Sequence, residues 1–183
     1  MEIEIKARVG KIEPLLEFLK INAELKYEGS QVDKYYTPAH RDFLSVKPVK
    51  EWLRLRDSNG KFSIDYKNWI YNSDGKSNHC DEFETKIDSL EKAENILGAL
   101  DFKYLITVDK FRSAWNYKEY EISIDKVEDL GDFVEIEYIG SNAGDPKEVT
   151  DEMILFLTSM QCGELNRDYK GYPFLLLEKY NLI

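Results

Sequence analysis

Strict alternation between charged and apolar residues is the feature that most constrains how this chain can fold. The first segment has charged residues at every second position and apolar residues between them: Glu2, Glu4, Lys6 and Arg8, with Ile3, Ile5 and Ala7. Because successive side chains of a β-strand point to opposite faces, this pattern predicts a strand with one charged and one apolar face. A strand whose charged face meets water is the ordinary interpretation, and it stays open at this point.

Nine segments of the chain are predicted as strands, and about eight of them share this design. We predict them in residues 1–8, 23–29, 31–37, 52–57, 61–68, 82–87, 103–115, 119–126 and 133–139, with a turn at Gly29-Ser30 and long loops at 38–51 and 72–78, the latter polar and mobile. Helices are predicted over 13–20, 88–100 and 145–160, and a short one in the tail, 169–183. Each helix carries a leucine-rich stripe that can cover an apolar sheet face.

Long antiparallel strands joined by short turns, with only a few helices, predict an α+β fold. We expect an eight-stranded antiparallel β-barrel or tunnel with a charged interior, covered outside by those helices. A two-sided sheet with cross-strand salt bridges on its wet face is the alternative interpretation. It explains less well why acids and bases occur in separate pairs such as Glu135-x-Glu137 and Arg54-x-Arg56.

The charges on the predicted inner faces sort by sign. The acidic group contains Glu2, Glu4, Asp125, Glu135 and Glu137, and the basic group contains Lys6, Arg54, Arg56, Lys67, Lys110 and Arg112. Crowded carboxylates favour a hard divalent cation, Mg²⁺ or Mn²⁺, which takes oxygen ligands. Rows of arginine and lysine favour a polyanion, because guanidinium groups match phosphate oxygens. A metal-bound polyphosphate would therefore satisfy both groups together.

Composition excludes several other classes of protein. The net charge of −10 disfavours binding to nucleic acid or to an anionic membrane surface, so we expect neither partner. Cys80 and Cys162 lie far apart, and with His40 and His79 they lack the spacing of zinc ligands. No apolar run approaches the length of a membrane span, and the charged first residues do not resemble a signal peptide. We expect a soluble cytoplasmic protein with a single domain over residues 1–183.

The motifs together resemble the CYTH superfamily, the triphosphate tunnel metalloenzymes. This group includes class IV adenylate cyclases, thiamine triphosphatases and inorganic triphosphatases. The resemblance spans nearly the whole chain and rests on Glu2-x-Glu4-x-Lys6, Gln31-x-Asp33-x-Tyr35-Tyr36, Leu53-Arg54-Leu55-Arg56, Lys67, Glu82-x-Glu84, Asp109-Lys110-x-Arg112 and the segment from Ile122 through Asp125, Gly131 and Glu135 to Glu137.

The resemblance implies a tunnel that binds a triphosphate with a divalent metal. It implies metal ligands at Glu2, Glu4, Asp125, Glu135 and Glu137, and phosphate contacts at Lys6, Arg54, Arg56, Lys67, Lys110 and Arg112. It assigns Glu82 and Glu84 to orienting the bases. Catalytic roles fall to Lys6, Glu4, Arg56 and Lys67. The loop with His40-Arg41-Asp42-Phe43 looks most like the class IV cyclases, and Arg41 joins the substrate-binding residues.

Three functions follow as expectations. The first is conversion of ATP to cyclic AMP and pyrophosphate; the second is hydrolysis of tripolyphosphate, thiamine triphosphate or a nucleoside triphosphate; the third is binding without catalysis. A homodimer is compatible with the resemblance. The family's carboxy-terminal acid is replaced by Phe174, so no role is carried over to that position. We further expect Glu4→Gln and Arg56→Ala to abolish turnover without loss of stability, since each would relieve unpaired like charge.

Overall fold

The protein is described by a computed structural model that covers residues 2–71, 77–141 and 144–183, with side chains for residues 3–71, 80–141 and 144–183. The strands are β1 (Glu2–Val9), β2 (Glu24–Pro38), β3 (Glu51–Ser58), β4 (Lys61–Tyr71), β5 (Ser77–Ile87), β6 (Phe102–Tyr117), β7 (Tyr120–Val127), β8 (Gly131–Tyr138) and β9 (Leu165–Arg167). The helices are α1 (Glu13–Asn22), α2 (Leu90–Ala99), α3 (Pro146–Ser159) and α4 (Tyr172–Lys179), with a 3-10 turn at Phe43–Ser45. The loop predicted at 72–78 lies largely outside the described residues.

All strand pairings are antiparallel, in the order β5-β4-β3-β2-β6-β7-β8-β1-β9. Within the described residues the sheet has nine strands, not the eight expected. The additional one, β9, has three residues and pairs with β1 at Ala7–Val9. β1 also pairs with β5, at Glu2 with Cys80 and Ile3 with His79. The α+β class is confirmed, whereas an eight-stranded closed tunnel stays a prediction.

The predicted turn at Gly29-Ser30 is wrong, because β2 runs through it without a break for 15 residues. The absence of a side chain at Gly29 is explained by a close contact instead of a turn. A β-carbon at position 29 would lie 2.0 Å from Nδ2 of Asn59, a residue of the turn between β3 and β4. The glycine therefore makes room for the Asn59 side chain, and β2 pairs with β3 and β6 along one long strand.

The four predicted helices are present, with ends shifted by a few residues. Asp145 begins α3 by accepting a hydrogen bond from the backbone nitrogen of Lys147 at 2.7 Å, with Pro146 in the first turn. Ser89 does the same for α2 through Lys92. None of the helices in the described part of the chain is long and apolar enough to span a bilayer.

The apolar faces of the strands lie under the helices, as expected. The largest buried cluster joins β1, β7 and β8 to helices α1 and α3, through residues such as Ile5, Leu19, Ile136 and Met153. A second cluster packs α4 against β6 and β8, and a third packs Leu97 of α2 against Leu55. Because side chains alternate along each strand, burying these faces turns the charged faces toward one another.

Candidate active site

The charged strand faces enclose a cavity of about 330 Å³. Nine of the twelve predicted site residues line it: Glu4, Lys6, Arg54, Arg56, Lys67, Lys110, Arg112, Glu135 and Glu137. The twelve include three that do not. Asp125 lies directly behind the wall, Arg41 lies elsewhere, and the side chain of Glu2 is outside the described residues. The alternation in the sequence therefore brought most of the predicted residues to one place.

Strand β3 supplies Arg54 and Arg56 from one face, and each is held by an aspartate from a neighbouring strand. Asp33 of β2 lies opposite Arg56 and accepts hydrogen bonds from its Nε at 2.6 Å and its terminal nitrogen at 2.7 Å. Asp65 of β4 lies opposite Arg54 and accepts from its Nε at 2.6 Å. Both aspartates are buried. These forked pairs fix the direction of the guanidinium groups.

The pKa of Asp33 reflects this pairing. Burial alone would raise the pKa of the Asp33 carboxyl, but the guanidinium groups of Arg56 and Arg54 outweigh burial and hold the pKa well below its usual range. Asp33 therefore stays ionised near neutral pH. The sequence suggested that the arginines were unpaired, but Arg54 and Arg56 both have carboxylate partners.

Asp125 of β7 holds the second basic pair. It accepts hydrogen bonds from Arg112 on both oxygens at 2.6 Å, and Oδ2 also accepts from Nζ of Lys110 at 3.1 Å and from the hydroxyl of Tyr172 at 2.9 Å. Its side chain is fully buried. These contacts are those of an anchor for basic groups, while its implied role as a metal ligand stays a prediction.

The lysines of the site experience opposite environments. Burial alone would lower the pKa of Lys6, but Glu135 at 3.0 Å and Glu4 at 3.7 Å outweigh it and raise the pKa above its ordinary value. For Lys110, burial combines with the nearby Arg112 and lowers the pKa to about 7. Lys6 is therefore charged near neutrality, whereas Lys110 loses its proton readily.

Lys67 of β4 stands between two carboxylates. Its Nζ lies 3.5 Å from Oε2 of Glu4 and 3.5 Å from Oε1 of Glu82. Neither contact has the short forked geometry of the arginine pairs. The contact with Glu82 agrees with the implied role of Glu82 in orienting a base.

Glu82 also belongs to an acidic group that the sequence did not predict. Carboxylate oxygens of Asp65, Glu82 and Glu84 lie within 4.8 Å of one another. The register explains this, because Asp65 is directly opposite Glu84 and Lys67 is directly opposite Glu82. Oxygen donors at this spacing fit a hard divalent ion, so these residues could hold Mg²⁺ or Mn²⁺.

Arg41 does not reach the cavity lining. Its Nη1 binds both oxygens of Glu51 at 2.7 and 2.9 Å, and its side chain is 59% exposed. Burial alone would raise the pKa of Glu51, but the hydroxyl of Tyr66 and the Arg41 guanidinium lower it. The substrate contact assigned to Arg41 therefore stays a prediction, at a position outside the cavity lining.

Several cavity or support residues were missed because they depend on pairing across strands. Asp33 and Asp65 lie on the polar faces of their predicted strands, but nothing in the sequence shows which arginine each carboxylate pairs with. Glu121 lines the cavity opposite Glu137, and burial raises its pKa while Arg112 opposes the shift. Tyr172 enters from the tail, where the resemblance to the family's Tyr-x-Asp-Leu-Leu motif includes this tyrosine but assigned it no role in the site.

Comparisons with known proteins agree with this geometry. A model of the CYTH domain matches residues 1–172 of the chain. The chain belongs to the CYTH family. The predicted resemblance is thereby confirmed, and CYTH proteins are metal-dependent enzymes that act on triphosphates.

Individual CYTH relatives cover nearly the whole chain. A protein of Methanocaldococcus jannaschii named "Putative adenylate cyclase MJ0240" is 31% identical over 173 residues, which are 94% of this chain and 96% of that protein. The structure of the PH1819 protein of Pyrococcus horikoshii has a TM-score of 0.81 at 27% identity and covers 98% of this chain and 99% of its own. HpAC1 from Hippeastrum, described with a dominant triphosphatase activity, has a TM-score of 0.68 at 21% identity, covering 99% of this chain and 96% of its own.

Proposed function

We propose that this protein is a metal-dependent enzyme that converts ATP to cyclic AMP and pyrophosphate, as class IV adenylate cyclases do. The observation that carries the proposal is the convergence of six basic side chains from four strands on one cavity that also contains carboxylates. The name and coverage of the M. jannaschii relative support cyclisation over hydrolysis. The proposal includes a single CYTH-like domain over residues 1–183 and a closed eight-stranded tunnel, which the pairing of β1 with β5 supports.

Hydrolysis of a triphosphate is the second candidate. The same cavity could bind inorganic, thiamine or nucleoside triphosphate, and the activity described for HpAC1 supports this reaction. The two reactions differ in the phosphorus that is attacked. In cyclisation the ribose 3′-oxygen bonds to the α-phosphorus and pyrophosphate leaves, whereas in hydrolysis water attacks the terminal phosphorus.

Binding of the phosphate chain falls to the basic residues. Arg54, Arg56 and Arg112 present forked donors in fixed directions, which suits oxygens on successive phosphates. Lys6, Lys67 and Lys110 add point charges around them. Because the donors are oriented before the substrate arrives, they can stabilise charge that develops in the transition state without further reorganisation.

Proton transfer falls to the residues around Glu4. This carboxylate is buried and lies 3.7 Å from Nζ of Lys6 and 3.5 Å from Nζ of Lys67. We assign Glu4 to accept the proton of the attacking hydroxyl or water, and Lys6 to orient that oxygen. Arg56 and Lys67 complete the catalytic set by binding the phosphate under attack.

A divalent ion, when bound, would neutralise charge on the phosphates and the leaving group. Two sets of carboxylates are candidates to hold it. The family resemblance implies Glu2, Glu4, Asp125, Glu135 and Glu137. The spacing of carboxylate oxygens supports Asp65, Glu82 and Glu84 as a second set. Members of both sets also contact basic side chains, as Asp125 and Glu135 do with Arg112 and Asp65 does with Arg54.

Turnover assays decide among the three functions. Purified protein is incubated with ATP, tripolyphosphate or thiamine triphosphate, with Mg²⁺ or Mn²⁺. Cyclic AMP with pyrophosphate supports the cyclase, and orthophosphate from any of the substrates supports the triphosphatase. Tight binding of all three without any product would overturn catalysis and leave a binding protein.

Metal binding distinguishes the two carboxylate sets. Glu84→Gln should weaken Mn²⁺ binding about tenfold in calorimetry, because the ion loses a charged oxygen ligand. Glu91→Gln is the matched control, since Glu91 is exposed on α2. If Glu137→Gln weakens Mn²⁺ binding and Glu84→Gln does not, the set implied by the family resemblance holds the ion instead.

A further inference from the structure

The carboxy-terminal helix inserts one aromatic ring into the wall of the cavity. Tyr172 is the first residue of α4, and its side chain is buried. The hydroxyl donates to Oδ2 of Asp125 at 2.9 Å, and the ring packs edge-on against Phe133 with 4.9 Å between centroids. Burial raises the pKa of Tyr172 well above its ordinary value, and the Asp125 carboxylate adds to this, so the hydroxyl remains a donor.

The same ring lies against two lysines from different strands. Nζ of Lys6, from β1, is 4.4 Å from the ring centroid, and Nζ of Lys110, from β6, is 5.2 Å from it. An aromatic face attracts cations within about 6 Å, and the attraction is larger where water is excluded. Tyr172 is therefore in contact with the Asp125 carboxylate and with two lysine side chains that line the cavity.

The backbone before α4 fixes this placement. The backbone nitrogen of Asp168 donates to the carbonyl oxygen of Lys6 at 2.8 Å, which ties the segment to β1. The Asp168 carboxylate then accepts from the backbone nitrogens of Lys170 at 2.9 Å and Gly171 at 3.2 Å. Gly171 has φ of +79°, a left-handed conformation that favours glycine, and Pro173 follows in the first helical turn.

Packing on the other side of α4 holds the helix in place. Leu176 and Leu177 are buried against the sheet in the same cluster as Val108 and Phe133. Phe174, where the family has an acid, faces Lys47 and Lys170 instead, with 5.2 and 5.1 Å from its ring centroid to their Nζ atoms. The tail therefore lines the cavity with Tyr172 and its sequence neighbours, and not with Phe174.

We propose that Tyr172 is a positioning residue for the triphosphate clamp: its hydroxyl holds Asp125 on Arg112 and its ring fixes Lys6 and Lys110. This inference rests on the proposed function, because it concerns how that site binds its substrate. Without the hydroxyl, more of the Asp125 charge acts on Lys110 and draws the ammonium away from the cavity. Without the ring, Lys6 and Lys110 also lose the aromatic surface that holds their Nζ atoms in position at the cavity.

Binding of tripolyphosphate to the 183-residue protein tests the inference, whether or not the protein converts a triphosphate. Tyr172→Phe keeps the ring and its packing and should raise the dissociation constant about tenfold through loss of one hydrogen bond to a charged group. Tyr172→Leu loses the ring as well and should raise it further. Tyr180→Phe is the matched control, because it removes a hydroxyl that donates to Asp129 at the exposed end of the same helix.

Two further readouts separate positioning from simple packing. The ratio of tripolyphosphate affinity to pyrophosphate affinity should fall toward equality in Tyr172→Phe, since the longer anion uses more of the clamp. A purely structural role would lower the melting temperature and leave that ratio and the KM of the folded enzyme unchanged, which would overturn the inference. If the wild-type protein binds tripolyphosphate but converts no triphosphate, the proposed enzymatic function is contradicted and the positioning role of Tyr172 is not. If the wild-type protein does not bind tripolyphosphate, both proposals are contradicted.

Discussion

Two kinds of ion pair line the same cavity, and their geometry differs. The arginine–aspartate pairs are short and forked, as in Arg56 with Asp33 at 2.6 and 2.7 Å. The lysine–glutamate pairs around Lys67 are longer, at 3.5 Å to each of two carboxylates. A planar guanidinium fixed by two bonds cannot turn without losing both, whereas an ammonium on a flexible stem can exchange partners.

This difference divides the cavity into two parts. The fixed part consists of Arg54, Arg56 and Arg112 with their aspartate partners, and the adaptable part consists of Lys67 with Glu4 and Glu82. Aspartates sit behind the arginines and are buried, so these pairs belong to the protein interior as well as to the site. The glutamate partners of Lys67 face the cavity, and Glu82 is 24% exposed. We infer that the fixed part gives the phosphate chain its direction, while the adaptable part changes its contacts when substrate and metal enter.

Arg56→Ala gives the largest expected effect and tests the fixed part. The variant leaves Asp33 buried with only the longer 3.4 Å contact to Arg54, so we expect a loss of about 3 kcal/mol in the free energy of unfolding. This prediction differs from the expectation from sequence that the variant would keep its stability, because Arg56 is paired with buried Asp33 even though Arg54 and Arg112 lie nearby. Urea denaturation measures the change.

The control for Arg56→Ala is Arg41→Ala. Arg41 also binds a carboxylate with two short contacts, but at an exposed position, where water replaces the lost partner. Its stability should change much less. Equal losses in the two variants would show that burial does not distinguish the inner pairs from a surface pair.

Acid sensitivity is the next expected effect, and it follows from the lowered pKa of Asp33. A carboxyl whose folded pKa is below its unfolded value stabilises the fold above the unfolded pKa, about 4, and loses that contribution as the pH falls further. The unfolding free energy of the wild type should therefore drop below about pH 4. Asp33→Asn should be less stable at pH 7 and change less between pH 5 and pH 2.

The difference between the two pH curves isolates Asp33 from the other buried carboxyls. Asp125 also has a pKa below its ordinary value, because Arg112 and Lys110 outweigh burial, and it titrates in both proteins. Urea denaturation at several pH values gives both curves. Parallel curves would mean that the Asp33 carboxyl does not stabilise the fold through its charge.

The sequence predicted the components of this comparison but not their pairing. Alternation placed Arg54, Arg56, Lys110 and Arg112 on inner faces, and the structure agrees. Which acid meets which base depends on the register between strands, such as Asp33 opposite Arg56. The sequence did not show this register, and it suggested a turn at Gly29, where β2 in fact continues in close contact with Asn59.

Tyr172 in the tail and Arg41 in the segment between β2 and β3 also have partners that the sequence did not indicate. The tail was correctly predicted to contain a helix, but the contact of Tyr172 with Asp125 joins residues 47 positions apart. Arg41 was assigned to the substrate by its loop motif, yet Glu51 lies close enough to bind it at the surface. Local patterns determine which face a side chain takes, whereas long-range packing determines the partner it meets there.

Lys67→Met gives the smallest expected effect and tests the adaptable part. Glu4 keeps Lys6 as a partner and Glu82 remains partly exposed, so the free energy of unfolding should fall by less than about 1 kcal/mol. The KM for the triphosphate should nevertheless rise severalfold, since a phosphate contact is lost. If Lys67→Met is as unstable as Arg56→Ala, the lysine pairs are as fixed as the arginine pairs and the division of the cavity into two parts is wrong. Because both substitutions remove one cation and keep every carboxylate, a difference in stability between them would follow from the geometry and burial of the lost pair rather than from net charge.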